Sequence, residues 1–217
     1  MELCGVREGI DGIVVVRVCV VIQGPVVIDP ARLEEAWGGV PVVWSTWVGE
    51  KVGTGSRVVY SEKPKISGPK NVCLQAVSSY NGLREAKRLG FTHAIKWRSD
   101  QMPTNAGELL KNFSKNNISF LFWHDNQRCK CSYFVDYCMF GSVDYLLGLW
   151  NPEFYGDVKR FSVPELYVTS RVEELGGPVG LVGGELTKNN DIIWERKGKT
   201  IRLSSYLQDA SFKKVLL

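Results

Sequence analysis

Short apolar runs, each closed by glycine, proline or small polar residues, dominate the first half of the chain. Runs of β-branched and aromatic residues of this length are typical of buried strands. The predicted strands cover residues 14–22, 40–44, 57–60 and 91–97. The first of them is the most apolar, and we expect it to lie at the centre of a sheet. Three of the strands end in polar or glycine-proline clusters, namely Gln23-Gly24-Pro25, Ser45-Thr46-Trp47 and Ser61-Glu62.

Segments with helical spacing separate these strands. Asp29 followed by Pro30 predicts the N-cap and first residue of a short helix. Asn71 predicts the N-cap of a longer helix over 72–89, which carries Gln75 among its polar positions. Strands that alternate with helices predict an α/β fold with a Rossmann-like, mostly parallel sheet flanked by helices. Ligands of such sheets bind in the crevice beyond the carboxyl ends of the strands.

The second half continues the pattern with weaker signals. The predicted strands cover 118–123 and 133–141, with a polar loop between them, and the last strand pair covers 192–194 and 200–203. A capping box, Asn105 with Glu108, predicts a helix through residue 113. Ser142 predicts the cap of a helix over 143–150, and Pro164 predicts the start of one that runs to 175.

The strongest concentration of candidate chemistry follows the strand over 91–97. Lys96, Arg98 and Asp100 come close together just before Pro103 stops the strand. An aspartate at this edge can hold a hard divalent cation, and an arginine beside it can hold a phosphate. The alternative is an ordinary ion pair between Arg98 and Asp100 on a solvated rim.

Two further carboxylates are candidates for catalysis. Asp136 lies in an otherwise apolar run, where a charge is costly unless it is paired or faces a cleft. An ordinary buried ion pair is the alternative for this residue. Glu165 falls in the first turn of a predicted helix, where a carboxylate also simply suits the helix dipole.

Composition narrows the class of protein. The 217 residues are 44% hydrophobic and 23% charged, which is typical of one large globular domain. The net charge of +4 comes from scattered Lys and Arg with no run of five, so we expect no nucleic-acid partner. The apolar run over 13–22 is too short to span a membrane, so we also expect no transmembrane segment. A mild positive balance suits an anionic small molecule such as a nucleotide sugar.

The cysteines indicate a reducing compartment. Six are present, and three of them (Cys19, Cys73 and Cys138) fall in apolar or helical patterns, where cysteine acts as a small hydrophobe. Cys129 and Cys131 are separated by one residue, which is shorter than the spacing of common zinc knuckles. We therefore predict reduced thiols and a cytoplasmic location.

The common phosphate-binding loops are missing. Neither G-x-G-x-x-G nor a Walker A sequence follows the first predicted strand. A nucleotide would then be held by side chains and turns. Five short motifs recur in an order that resembles the WavE-type family of lipopolysaccharide-biosynthesis glycosyltransferases, especially its relatives carried by large viruses of algae, and the match covers about residues 18–170. The motifs are Val21-Ile22-Gln23-Gly24-Pro25, Trp44-Ser45-Thr46-Trp47, Asn71-Val-x-x-Gln75 with Gly82-Leu83, Lys96-Trp97-Arg98-Ser99-Asp100 and Asp136-x-x-x-x-Gly141.

The resemblance implies a GT-A-like glycosyltransferase that moves a hexose from a UDP-sugar to a glycan or glycoprotein acceptor, usually with Mn²⁺ or Mg²⁺. It implies one domain over 1–217, within a longer polypeptide or alone, with a nucleotide-binding half over about 13–103 and an acceptor-side half over about 104–217. The Asp-x-Asp of such enzymes corresponds here to Arg98-Ser99-Asp100, so one metal-ligand position is an arginine. For a host-cell virus protein, the cytoplasm would be that of the host.

The residue assignments follow from the motifs. Asp100 is the predicted metal ligand, and Asp136 and Glu165 are the predicted catalytic carboxylates. The predicted donor-binding residues are Gln23, Gly24, Pro25, Ser45, Thr46, Trp47, Glu62, Asn71, Gln75, Lys96 and Arg98. A non-catalytic nucleotide-sugar or glycan-binding module with the same fold is the alternative, and the broken Asp-x-Asp is the feature that supports it.

Overall fold

A computed structural model of the chain describes residues 6–9, 12–103, 106–107, 110, 118–120, 123–126, 131–134, 136, 138–153, 164–176, 179–181, 193–196 and 199–202. Its strands are β1 (Val6–Gly9), β2 (Gly12–Val15), β3 (Val18–Gln23), β4 (Val42–Trp47), β5 (Arg57–Ser61), β6 (His93–Arg98), β7 (Met102–Pro103), β8 (Ile118–Phe120), β9 (Trp123–Asn126), β10 (Cys131–Phe134), β11 (Cys138–Ser142), β12 (Val179–Leu181), β13 (Ile193–Arg196) and β14 (Lys199–Arg202). Its helices are α1 (Pro30–Ala36), α2 (Val72–Arg88), α3 (Val143–Leu149) and α4 (Pro164–Leu175). Within these described elements, no helix combines the length and the apolar character needed to cross a bilayer.

A seven-stranded sheet forms the centre of the molecule, in the order β12-β8-β11-β6-β3-β4-β5. Strands β6, β3, β4 and β5 run parallel to one another, whereas β11 runs antiparallel to both β6 and β8. The predicted α/β class with a mostly parallel, helix-flanked sheet is therefore confirmed, while the first long strand, β3, lies inside the sheet between β6 and β4, one place from its centre. Two hairpins, β1-β2 and β9-β10, and a small β7-β13-β14 sheet lie outside it.

Both faces of the central sheet are buried, because alternate residues of each strand enter different clusters. Val20 and Ile22 pack with α1 on one face. Cys19 and Val21 pack with α2, α3 and α4 on the other face. This three-layer arrangement explains why the strands are apolar on consecutive positions, since neither face meets water.

Helix α2 lies unusually close to the sheet at Gly82. A Cβ atom on Gly82 would come within 2.5 Å of Val21 Cγ1 and 2.9 Å of Ser45 Cβ. Nearby, the Ser45 hydroxyl donates to the Ser78 carbonyl at 2.6 Å, and the Ser78 hydroxyl donates to Gln23 Oε1 at 2.7 Å. Four residues of the sequence motifs, Val21, Gln23, Ser45 and Gly82, thus fix the position of α2 over the strand ends.

All three predicted N-cap positions are confirmed, but only two of the side chains make a capping hydrogen bond. The Asp29 side chain accepts from the Arg32 amide, and the Ser142 hydroxyl accepts from the Tyr145 amide. Asn71 occupies the position before α2 but makes no capping hydrogen bond with its side chain. Its backbone is left-handed, with φ 66°, whereas a capping residue normally has extended backbone.

The predicted boundaries need four corrections. The run over 14–22 is split at Arg17 into the end of β2 and the whole of β3. The cluster Ser45-Thr46-Trp47 lies inside β4 and not beyond its end. Asp136 lies between β10 and β11, not within one continuous strand, and part of the expected polar loop after 123 belongs to the β9-β10 hairpin. The capping box at Asn105 and Glu108 lies outside the described residues.

Candidate functional site

A cavity of about 590 Å³ opens at the carboxyl ends of β3 and β6. Gln23 and Arg98 are the last residues of these two strands and are directly paired across the parallel ladder. Helix α2 forms one wall from its first turns, and the start of α4 contributes another. The lining residues are Gln23, Gly24, Pro25, Val27, Trp47, Lys63, Lys70, Asn71, Leu74, Gln75, Arg98, Ser99, Asp100, Asp136, Pro164 and Glu165.

The floor of the cavity is a tight turn after β3 that is bonded to the turn after β6. Gly24 has φ 113°, and a Cβ atom there would lie 2.8 Å from the Ser99 hydroxyl oxygen. That hydroxyl donates to the Pro25 carbonyl at 2.6 Å, and the Ser99 amide donates to the Gln23 carbonyl at 3.0 Å. Glycine is therefore required for both its backbone conformation and its lack of a side chain.

Arg98 is held by two carboxylates at the edge of the cavity. Its Nε and Nη2 donate to Oδ1 and Oδ2 of Asp100, both at 2.9 Å, and its Nη1 donates to Asp136 Oδ2 at 3.3 Å. Antiparallel pairing of Cys138 with Trp97 places the residues before Cys138 beside the end of β6, which explains the second contact. The alternative prediction, an ion pair between Arg98 and Asp100, is confirmed, and the pair is bidentate.

Lys96 lies beneath this cluster and does not reach the cavity. Its side chain is fully buried, its Nζ donates to the Asp136 carbonyl, and the ammonium stands 4.6 Å from the centre of the Trp150 ring. Burial lowers the pKa of Lys96 to about 8, against the opposing pull of the Asp136 carboxylate. Lys96 thus holds the backbone of Asp136 in place through this hydrogen bond.

Glu165 enters the cavity from the first turn of α4. Burial raises the pKa of the Glu165 carboxyl, and the negative charge of Asp136 raises it further. Arg98 and Lys96 oppose this shift only in part. A carboxyl whose pKa is moved towards neutrality is suited to exchange a proton with a bound hydroxyl.

Two buried acceptor atoms on the cavity wall have no hydrogen-bond partner in the described part of the chain. They are Gln75 Oε1 and Asp136 Oδ1. A buried polar atom left without a partner costs about 1–3 kcal/mol, so such atoms are uncommon in native proteins. Their common position on one cavity points to a ligand that brings hydroxyl or amide donors.

Two lysines also line the cavity. Lys63 and Lys70 are both exposed. Lys70 and Asn71 both adopt left-handed backbone, with φ 48° and 66°, which costs roughly 1–2 kcal/mol for each non-glycine residue. Strain of this kind is commonly retained at binding sites.

The structure brings together ten of the predicted site residues. Asp100, Asp136 and Glu165 all line the cavity, together with the donor-binding candidates Gln23, Gly24, Pro25, Trp47, Asn71, Gln75 and Arg98. Ser45, Thr46 and Lys96 are fully buried in strands and do not line it, and Glu62 is exposed outside it. Because none of these four lines the cavity, their contact with the donor stays a prediction without support from the cavity geometry.

Sequence reasoning missed six of the lining residues. Ser99 lies inside a quoted motif, so its position was already visible there. Lys63 follows Glu62 directly, and either residue was compatible with a strand-end site. Lys70 gave no signal, because its direction depends on the left-handed turn before α2. Val27, Leu74 and Pro164 are apolar and resemble ordinary core or turn residues.

The carboxylates do not fit the predicted metal site. Among the residues that the structure describes, no group of three or more His, Cys, Asp or Glu side chains could hold a metal ion. Both oxygens of Asp100, the predicted ligand, are already bonded by Arg98. Mn²⁺ or Mg²⁺ therefore stays a prediction that this geometry does not support.

Comparison with known proteins adds no assignment. No protein-family model matches the chain, and no match to a curated protein is found. The resemblance to the WavE-type family consequently stays a prediction from the five motifs, and the proposals below depend on the site itself.

Proposed function

We propose that the protein is a GT-A-like glycosyltransferase that moves a hexose from a UDP-sugar to a glycan acceptor. The observation that carries this proposal is the composition of one cavity at the carboxyl ends of parallel strands. Cationic side chains, carboxylates and two buried acceptor atoms without a partner in the described residues all line it. This position is the usual nucleotide site of open α/β sheets.

The side chains that line the cavity match both the diphosphate and the sugar of a nucleotide sugar. Lys63 and Lys70 suit the diphosphate, because a lysine ammonium group is a point charge on a flexible stem and can bind phosphate oxygens in several geometries. Gln75 Oε1 and Asp136 Oδ1 suit sugar hydroxyls, which would supply the missing donors. Pro25 is exposed on the cavity and offers apolar surface against which the uracil ring would pack, whereas the predicted partner Trp47 is almost fully buried.

The carboxylates supply the chemistry in this proposal. An acceptor hydroxyl oxygen attacks the anomeric carbon, and the bond from that carbon to the diphosphate oxygen breaks. The hydroxyl proton passes to a carboxylate, Asp136 being the first candidate and Glu165 the second. The leaving UDP keeps the bonding electrons, and Lys63 and Lys70 stabilise its added negative charge.

Transfer and binding assays on the Asp136→Asn variant test the proposal. We expect the parent protein to bind UDP-sugars and to release UDP slowly from one of them, and faster with a glycan acceptor. Asp136→Asn should keep UDP affinity within about threefold but lose most of the transfer rate, as expected for a group needed only in the reaction.

Three other outcomes would change the assignment. Tight binding of UDP-sugars without any turnover would favour the non-catalytic module, which the engagement of Asp100 by Arg98 also supports. Stabilisation by GDP-sugars but not UDP-sugars would show that the base is wrong. An unchanged transfer rate in Asp136→Asn would move the catalytic role to Glu165 or to the donor phosphate.

A further inference from the structure

We propose that the site binds its diphosphate without a divalent cation, because Arg98, fixed between Asp100 and Asp136, occupies the place of that cation. Lys63 and Lys70 then contact the phosphates directly. This inference deepens the proposed function and rests on it for the identity of the ligand as a nucleoside diphosphate. The anion-binding part can be tested separately.

The Asp100 carboxylate is already held by Arg98. Arg98 bonds both oxygens of this carboxylate at 2.9 Å in the paired geometry that guanidinium and carboxylate groups prefer. Only 22% of the Asp100 side chain and 18% of the Arg98 side chain are exposed, so the pair is shielded from competing water. A metal ion at Asp100 would have to share this carboxylate with a guanidinium or displace it.

Among the described residues, the positive and negative charges around Arg98 are already balanced without a metal ion. Arg98 and Lys96 carry two positive charges, which balance the two negative charges of Asp100 and Asp136. A divalent cation would add two further positive charges beside a guanidinium and a buried ammonium. The third lining carboxyl, Glu165, attracts a metal ion less strongly than a free carboxylate, because burial and the charge of Asp136 raise its pKa.

Two lysine side chains on the same cavity can contact the phosphates in place of a metal ion. Lys63 and Lys70 line it and are exposed to an incoming ligand. Lys70 is held there by its left-handed backbone, and by the 3₁₀ turn formed when the Asn71 amide donates to the Gly68 carbonyl at 3.2 Å. These two ammonium groups match the charge of a diphosphate without help from a metal.

Calorimetric titration with UDP and with inorganic pyrophosphate, each in EDTA and in Mn²⁺, tests the inference. We expect dissociation constants in EDTA and Mn²⁺ to agree within about twofold. Lys70→Ala and Lys63→Ala should each weaken binding about tenfold, the lower end of the effect of removing a charged hydrogen-bond partner. Lys65→Ala, an exposed lysine of the same segment that does not line the cavity, should bind as the parent does.

The Asp100→Asn variant separates the two roles by the sign of its effect. If Arg98 replaces the metal, loss of the Asp100 charge leaves Arg98 more available to phosphate, and UDP affinity in EDTA is retained or increases. If Asp100 binds the metal, UDP affinity in Mn²⁺ falls at least tenfold. Circular dichroism establishes that the variant is folded, and the lysine variants provide an independent result if it is not.

The failures of the inference and of the proposed function are distinguishable. UDP binding that requires Mn²⁺ and is lost in Asp100→Asn overturns the inference but leaves the glycosyltransferase proposal in place. Binding of UDP and pyrophosphate in EDTA, with no UDP-sugar bound or turned over, supports the inference and overturns the proposed function. Absence of any UDP or pyrophosphate binding, with or without Mn²⁺, overturns the inference.

Discussion

At the scale of single residues, the cavity holds polar atoms that the fold itself does not satisfy. Gln75 Oε1 and Asp136 Oδ1 are buried without a partner in the described structure. Such atoms reduce stability in the absence of a ligand, because they lose water and gain no hydrogen bond. A binding role is the natural reason for retaining them.

We therefore predict that Gln75→Met raises the free energy of unfolding by about 1 kcal/mol, since it removes an unsatisfied acceptor and keeps the side-chain volume. The same variant should bind the UDP-sugar less tightly. The control is Asn81→Leu on the same helix, because Asn81 Nδ2 donates to the Ser61 hydroxyl at 2.9 Å and its loss should lower stability. Chemical denaturation and calorimetry measure the two effects. A Gln75→Met protein that is less stable than the parent would contradict the interpretation.

Glu165 gives a prediction on pH. Its pKa is raised above the ordinary 4.5 by burial and by Asp136, so the folded protein holds this proton more tightly than the unfolded chain does. The free energy of unfolding should therefore fall, through this group, as the pH rises from 4.5 towards the raised pKa. Glu165→Gln should remove that part of the pH dependence.

Asp136→Asn provides the matched test of this coupling. Removing the Asp136 charge should lower the pKa of Glu165, although burial will still hold it above 4.5. Carboxyl-carbon NMR titration of Glu165 in both proteins measures the difference. An identical Glu165 pKa in the two proteins would show that the carboxylates do not interact.

At the scale of secondary structure, α2 is the element on which the site depends. Ser45 and Ser78 bond it to the sheet, and Gly82 allows the close contact with Val21. The first turns of the helix then place Leu74 and Gln75 on the cavity wall. Ser45, which is predicted to bind the donor, takes part in this packing and does not line the cavity.

Gly82→Ala should consequently be destabilising by roughly 1–3 kcal/mol, because its new methyl group overlaps Val21 and Ser45 in a packed layer. Gly148→Ala is the control, since its Cβ would lie 3.5 Å from Leu175, at ordinary contact distance. Gly148 is the last residue but one of α3, where alanine should be neutral or stabilise by less than the roughly 1 kcal/mol expected in a helix interior. Thermal denaturation compares the two variants, and equal effects would contradict the packing argument.

At the scale of the whole molecule, the two faces of the central sheet carry separate cores. Cys19 lies in the core on the α2 side, and Cys138 lies in the core on the α1 side. Burial raises the pKa of Cys19 to about 12 and also raises that of Cys138, so neither thiol should react in the folded protein. Their reactivity therefore reports the opening of each layer.

If the chain folds as the single domain predicted from the sequence, Cys19 and Cys138 should become reactive at the same denaturant concentration. Alkylation with iodoacetamide across a urea series, read by mass spectrometry at each cysteine, measures this. Two well-separated midpoints would show that the layers on the two faces of the sheet unfold independently.

The order of strands and helices in the first half of the chain was determined by the sequence alone. β-branched runs, Asp29 with Pro30, and Ser142 act through local backbone preferences and neighbouring amides, so their effect is visible within a few residues. The same is true of the position of Gly24 and of the polar cluster that follows β6. The α/β class and the location of the cavity at the strand ends follow from these local signals.

Only the tertiary structure decided which of those polar residues share the cavity and which partners they have. The antiparallel register of β11 against β6 brings Asp136 to Arg98, although 38 positions separate them in the chain. Burial of Lys96 and Ser45 depends on helices packed from other parts of the sequence. Because charge balance and desolvation are set by such distant neighbours, the sequence predicted the chemical groups of the site but not their pairing.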